Sequence, residues 1–329
     1  MATRIAVIGA GAWGTALARI ASRPGRQVVL LARDPVQAAT IERERENRAR
    51  LPGVDLPGEV RVTAEPAALG DAELVLAAVP AQRLRAVLDG LPRFAPAIPI
   101  LVCAKGIEQA TGCLMSEVVA DCRPGHPPAA LSGPSFAADV GRGRPTAVTV
   151  AAQDGALARR LAETLARPAF RLYFTTDLVG VEIGGAAKNV LAIACGIAVG
   201  LDLGASAGAA LIARGFAELA RFGRASGARP ETLMGLAGLG DLVLTSSSAQ
   251  SRNFAFGRAL GEGRTPQEAA AGRLAEGAAT AGILAELARK RGVEMPIVEA
   301  IAAILAGQLA PPQAIDRLLS RPARAETDI

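Results

Sequence analysis

The sequence predicts a two-domain α/β protein in which a parallel sheet wound by helices precedes an all-α domain, and three observations carry that expectation. The 329 residues are enough for two domains with their own cores. The first half alternates short apolar β-like runs with helical stretches, the pattern of a parallel sheet covered by its crossover helices. After Thr176-Asp177, a plausible helix N-cap, the β-like runs stop. The expected domains are therefore 1–177 and 178–329.

In chain order, strands are expected at Arg4–Ile8, Val28–Leu31, Leu74–Val79, Ile100–Cys103, Ala129–Leu131, Thr146–Val150 and Phe170–Phe174, with a helix over Gly155–Ala166 between the last two. Helices are then expected at roughly 178–201, 207–226, 230–236, 252–261, 266–271, 276–291, 296–307 and 311–319. The tail Arg321 to Ile329 reads as polar and frayed. The longest apolar stretch, Val190 to Leu201, is interrupted by Gly196 and Gly200 and followed by Asp202, which favours a buried core helix over a membrane span.

Composition narrows the function classes. No stretch reads as a signal peptide or a spanning helix, so the expectation is a soluble, cytoplasmic protein with no membrane span. The formal charge of +5 comes from dispersed arginines without interleaved stacking aromatics, which argues against nucleic acid and for an anionic small-molecule substrate. Cys103, Cys113, Cys122 and Cys195 lack ligand spacing, so neither a metal nor a disulfide framework is expected. The single histidine, His126, sits in a Pro-rich turn and reads as a loop residue rather than a catalyst.

Lysine usage is more informative. Only three lysines, Lys105, Lys188 and Lys290, stand among the 36 basic residues. Lys290 lies in the charged run Arg289-Lys290-Arg291 and reads as a solvated face. Lys105 and Lys188 lie in the glycine-flanked contexts Cys103-Ala-Lys-Gly106 and Gly184-Gly-Ala-Ala-Lys-Asn189. A lysine ammonium can be tuned into a proton donor, which arginine cannot. Lys188 is thus the first catalytic candidate.

Gly9-Ala10-Gly11-Ala12-Trp13-Gly14 follows the first strand and opens a helix, which turns a common pattern into an expectation of dinucleotide binding. Gly9 would make the tight turn, Gly11 would admit a pyrophosphate to the helix N-terminus, and Gly14 would allow close packing of helix on strand. The second strand is followed by Arg33 where an acidic residue would hold a ribose hydroxyl, so NADP is favoured over NAD; Asp34 is as well placed to cap the next helix.

Four further segments carry dense polar and glycine chemistry: Cys103–Ile107, Leu131-Ser-Gly-Pro-Ser-Phe-Ala137, Gly184–Val190, and Gly238-Leu-Gly-Asp-Leu-Val-Leu-Thr245 followed by Gln250-Ser-Arg-Asn253. With the Gly9–Thr15 pattern, in this order and spacing, the chain closely resembles the bacterial glycerol-3-phosphate dehydrogenase family from about residue 4 to residue 310. The resemblance implies a Rossmann domain, a helical substrate domain, and reversible reduction of dihydroxyacetone phosphate by NAD(P)H for phospholipid synthesis, with a possible homodimer. It places Lys188 on the catalytic lysine, and Lys105, Gly133, Ser135, Asp241, Ser251, Arg252 and Asn253 on substrate-contacting positions. Ala12, Trp13, Arg33, Arg50, Lys105, Ala137, Arg252, Ala275 and Glu276 fall on cofactor-contacting ones. Ala12 and Arg50 stand where relatives often carry a hydroxyl or an aromatic, and Ala275 where they often carry valine.

The residues themselves agree. Hydride delivery to a ketone builds negative charge on its oxygen, and a nearby lysine can both stabilise it and give the proton. In a helix Gly184 and Gly185 share a face with Lys188, leaving room for reactants or, alternatively, for a packed helix. Ser251-Arg252-Asn253 at a helix start offers an anion site, the rival reading being an ordinary serine cap. Asp241 is expected to pair with Lys188 or a substrate hydroxyl if buried, and otherwise to cap a turn. Two other functions compete: a related dehydrogenase of hydroxy acids or sugar phosphates, and a nucleotide-sensing protein without turnover.

Overall fold

The structure, a computed structural model, describes residues 3–272 and 274–322. It divides into two compact units. The first comprises the residues up to Ala104 together with Met115–Leu178, and the second Lys105–Leu114 together with the residues from Val179 onward. The expected domain limits 1–177 and 178–329 are corrected by this segment, because Ile107 is 1% exposed and belongs, with Leu114 against it, to the second unit's core. The tail beyond residue 322 lies outside the described residues.

The first unit runs β1 (Arg4–Ile8), α1 (Ala12–Ala21), β2 (Gln27–Leu31), α2 (Pro35–Glu44), β3 (Val60–Thr63), β4 (Leu74–Ala77), α3 (Leu84–Asp89), β5 (Ile100–Val102), α4 (Met115–Cys122), β6 (Pro128–Ser132), α5 (Ala137–Gly141), β7 (Thr146–Ala152), α6 (Gly155–Leu165) and β8 (Phe170–Thr175). The strands form one eight-stranded sheet in the order β3-β2-β1-β4-β5-β6-β7-β8. The order reverses between β1 and β4, and in open α/β sheets ligands bind outside the carboxyl ends of the strands at such a switch point. Here that end carries the Gly9 turn. This is a Rossmann-like arrangement, with Ile5, Val7, Leu17, Leu30, Leu76 and Leu101 in its core.

Two features depart from expectation. β3 was not anticipated; its four residues pair only with β2 and include the exposed Arg61, so its apolar signal is short. β7 runs antiparallel to β6, whereas β8 is parallel to β7. The connection from β6 carries only the five-residue α5, about 8 Å of helix, well short of the seven-residue β7 that a crossover helix would have to run back along.

The second unit is helical: α7 (Leu178–Gly200), α8 (Gly204–Ala225), α9 (Pro230–Met234), a π-helical turn (Leu236–Gly240), α10 (Asp241–Ser246), α11 (Arg252–Gly261), α12 (Pro266–Ala270), α13 (Glu276–Lys290), α14 (Pro296–Leu305) and α15 (Pro311–Leu319). Among the described residues α7 is the one helix long and apolar enough to cross a membrane, and 89% of its most apolar window is buried inside the protein. Its glycines explain how it is buried. A Cβ at Gly196 or Gly200 would strike the backbone of α11 at Phe254 or Arg258, and a Cβ at Gly257 or Gly261 would strike that of α7 at Ile193 or Ile197. The two helices therefore meet backbone to backbone. Gly257→Ala is expected to destabilise the protein by about 3 kcal/mol, the upper part of the usual overpacking cost, because backbone rather than a side chain must yield. Urea unfolding would measure it, and an unchanged midpoint would show that α7 and α11 can separate freely.

Candidate functional site

In the first unit the glycine-rich turn is built for a ligand that approaches backbone. Gly9 has φ 105°, a conformation that favours glycine, and its N–H donates to the Leu31 carbonyl at 2.9 Å. A Cβ on Gly14 would collide with the Gly9 carbonyl oxygen, so this glycine sets how closely α1 packs on β1. Gly11 is open, with nothing within 4 Å of where its Cβ would stand. Trp13 Nε1 is buried without a hydrogen-bond partner, a donor that a polar ligand at this turn would satisfy. These features fit a dinucleotide. Ala12 and Trp13 form the first turn of α1, with Arg33 exposed after β2 and Arg50 exposed in the loop that follows α2. Asp34 caps α2, its carboxylate accepting from Val36 N at 2.9 Å, which leaves Arg33 as the charged residue free of the cap. Gly133 has φ 140° and lies against Val148, Ser135 Oγ donates to the Gly133 carbonyl at 3.0 Å, and Ala137 opens α5.

The second unit gathers the three catalytic candidates around one carboxylate. Lys105 Nζ donates to Asp241 Oδ2 at 2.7 Å and Lys188 Nζ lies 3.1 Å from Asp241 Oδ1. Lys188 also donates to Thr245 Oγ1 at 2.8 Å, and Thr245 Oγ1 donates to Asp241 Oδ1 at 3.1 Å. Asp241 opens α10 directly after the π-helical turn, so Thr245 falls one helical turn later on the same face. Its side chain is only 2% exposed, against 8% for Lys188 and 16% for Lys105. Burial pushes the Lys188 ammonium down to about 8, with Lys105 adding to the shift and Asp241 opposing it. Burial acts to raise the Asp241 pKa, but the two lysines outweigh it and hold the carboxylate below its usual range.

A chain of buried amides continues from this cluster. Asn189 Nδ2 donates to the Lys105 carbonyl at 3.0 Å, Asn253 Nδ2 to Asn189 Oδ1 at 2.8 Å, and Gly277 N to Asn253 Oδ1 at 2.9 Å. Lys105, α7, α11 and the first turn of α13 are thereby tied together. Ala275, which is buried, and Glu276, which opens α13, stand beside the end of this chain, and Glu276 also supports the charge on Lys188.

Several expectations are refined here. Ser251 is the N-cap of α11, its Oγ accepting from Phe254 N at 3.2 Å, as the rival reading had it. Arg252 projects into solvent from the first turn. Asp241 is buried and paired rather than a turn cap. Gly184 serves close packing, since its Cβ would lie 2.7 Å from the Ala237 carbonyl oxygen of the π-helical turn. His126 is a loop residue, its Nδ1 at 3.0 Å from the Ile98 carbonyl and its ring edge-on to Phe94. Sequence reasoning missed Thr245 and Asn189; their offsets of four from Asp241 and one from Lys188 were the available signals.

Comparison with known proteins agrees with this geometry. Residues 4–158 match the N-terminal and residues 177–316 the C-terminal domain model of NAD-dependent glycerol-3-phosphate dehydrogenase. A glycerol-3-phosphate dehydrogenase [NAD(P)+] of Bradyrhizobium sp. (strain BTAi1) is 59% identical over 323 residues, covering 98% of each chain. That of Methylobacterium radiotolerans is 57% identical over 328 residues, covering 99% of each. The crystal structure of glycerol-3-phosphate dehydrogenase from Coxiella burnetii superposes with a TM-score of 0.92 at 39% identity, covering 97% of this chain and 99% of that one. With both halves matched and relatives this similar over nearly its full length, the chain belongs to the NAD-dependent glycerol-3-phosphate dehydrogenase family.

Proposed function

We propose that this chain reversibly reduces dihydroxyacetone phosphate to sn-glycerol 3-phosphate with NADPH or NADH, and that Lys188 exchanges the proton at the carbonyl oxygen. The observation that carries the reading is the pair of lysines on one buried aspartate, with Lys188 tuned to about 8. A dinucleotide held at the Gly9–Gly14 turn would supply the hydride. As negative charge grows on the ketone oxygen, the Lys188 ammonium gives up a proton while Lys105 keeps Asp241 ionised and the local charge balanced. Thr245 holds one Lys188 N–H, which leaves the ammonium oriented rather than free to rotate. In the reverse direction the neutral amine takes the proton back.

The substrate phosphate is assigned to the N-terminus of α11, where the first-turn backbone N–H groups and the Arg252 guanidinium offer donors and positive charge, with Ser251 and Asn253 shaping the turn. Gly133 and Ser135 are assigned to the substrate as well. Gly9, Gly11, Ala12, Trp13, Gly14, Arg33, Arg50, Ala137, Ala275 and Glu276 are assigned to the dinucleotide. The product feeds glycerophospholipid synthesis, and the protein works in the cytoplasm as a homodimer. Following nicotinamide absorbance in the presence of dihydroxyacetone phosphate tests the activity, and turnover of hydroxy acids but not of this ketone phosphate would overturn it.

Arg33→Ala is expected to weaken NADPH about tenfold or more and NADH hardly at all, since only NADPH carries the 2′-phosphate with which the guanidinium can form charge-assisted bonds. Dissociation constants for the two cofactors check this. Equal weakening would remove Arg33 from the ribose end.

A further inference from the structure

We propose that Asn47, in the loop between α2 and β3, is a positioning residue for the dinucleotide: its carboxamide holds the carbonyls of the glycine-rich turn to one side and so aims the Gly11 and Ala12 N–H groups at the pyrophosphate. The proposal rests on the reading that the Gly9–Gly14 turn receives that pyrophosphate.

Asn47 is 1% exposed although it lies in the charged run Glu42 to Arg50. Its Nδ2 donates one hydrogen to the Ala10 carbonyl at 3.0 Å and the other to Thr15 Oγ1 at 2.8 Å. The Ala10 carbonyl can only accept, which fixes the sense of the amide. Thr15, fully buried on α1, passes its own hydrogen to the Gly11 carbonyl at 2.8 Å. Asn47 thus holds the Ala10–Gly11 peptide unit directly, while the Gly11 carbonyl, which already accepts from Thr15 N at 2.9 Å as the first bond of α1, takes the Asn47-bound Thr15 hydroxyl as a second donor.

In a trans peptide the C=O and the following N–H point in opposite directions. Carbonyls turned toward Asn47 and Thr15 therefore turn the N–H groups of Gly11 and Ala12 away from them, at the start of α1, where an anion finds donors. Sterics do not impose this orientation, because a Cβ at Gly11 would meet nothing within 4 Å. Hydrogen bonds must. A rotated Ala10–Gly11 peptide would present its carbonyl oxygen, with partial negative charge, to the pyrophosphate. Asn47 is itself anchored: its carbonyl accepts from Arg50 N at 3.1 Å and Leu51 N at 2.7 Å, and Leu51, Val54 and Leu56 of the same loop enter the core.

The test is a double-mutant cycle on equilibrium binding, with dissociation constants for NADPH and NADH measured by calorimetry and thermal midpoints measured alongside. Asn47→Leu keeps the approximate shape and removes both donors. It is expected to weaken the two cofactors to the same degree, about tenfold, because the pyrophosphate is common to both. The KM for the ketone at saturating cofactor should not move. Thr15→Val should weaken both cofactors less, and the double variant should be no worse than Asn47→Leu alone, because the hydroxyl acts in one chain with the amide. A lowered thermal midpoint with unchanged dissociation constants, or strictly additive losses, would overturn the proposal. If Asn47→Leu does not fold, Thr15→Val alone decides, and unchanged binding there overturns it. Gly11→Val separates the two ideas, since its extended backbone and open surroundings accept a side chain that would stand in the ligand's path. Unchanged binding in Gly11→Val would overturn the pyrophosphate reading and the proposal with it. Weakened binding there with unaffected Asn47→Leu and Thr15→Val would overturn the role of Asn47 alone.

Discussion

Lys188→Arg is expected to fold, keep its positive charge and lose about 100-fold or more in turnover, the usual scale for removing a general acid. Charge alone does not predict such a loss, because arginine would still stabilise an oxyanion and still pair with Asp241. What arginine cannot do near neutral pH is release the proton. Burial holds the Lys188 ammonium at about 8, so the wild-type protein should lose ketone reduction as pH rises through that value while alcohol oxidation gains, the neutral amine being the form that accepts a proton. The arginine variant should show neither limb. Turnover in both directions on either side of pH 8 checks the prediction, and near-normal activity with an unchanged profile would take the proton away from Lys188.

The parts of this picture that were legible in the sequence are those in which a local pattern fixes a local structure. Seven strands were readable as apolar runs, and the Gly9 turn was readable because the glycines follow one of them. Strand direction was not, since the reversal at β7 depends on how far the α5 connection can carry the chain. Lys188 and Lys105 stood out through an arginine-rich composition, and Asp241 through its place between glycine and an apolar run. Their convergence is tertiary: Lys105 reaches the second unit because Ile107 is buried in its core, and α10 begins at Asp241 because a π-helical turn precedes it. Asn47 was the least legible, a neutral residue among charges that read as a solvated face, whose partners Ala10 and Thr15 lie more than thirty positions away.

Asp241→Asn is expected to have the largest effect on stability, because it leaves two ammonium groups facing each other in a poorly exposed site without their common counter-ion. Breaking a buried charge pair from one side costs about 3–5 kcal/mol, and here one carboxylate serves two lysines. The site can reduce that cost by discharging a lysine. Lys188 is the one to yield, since burial and Lys105 both lower its pKa and Asp241 is the nearest group that raises it. Without Asp241 its pKa should fall below about 8, so at neutral pH more of the population carries a neutral amine that cannot donate. Ketone reduction should then drop about ten- to 100-fold at neutral pH and recover partly as the pH is lowered. Alcohol oxidation should suffer less. Urea unfolding measures the first effect and the pH dependence of turnover the second, and the two together distinguish this account from simple misfolding, which would depress both directions alike at every pH. If the variant kept the wild-type pH profile, Asp241 would be a structural anchor for Lys105, and the Lys188 pKa would be set by burial and Lys105 with Glu276 opposing them.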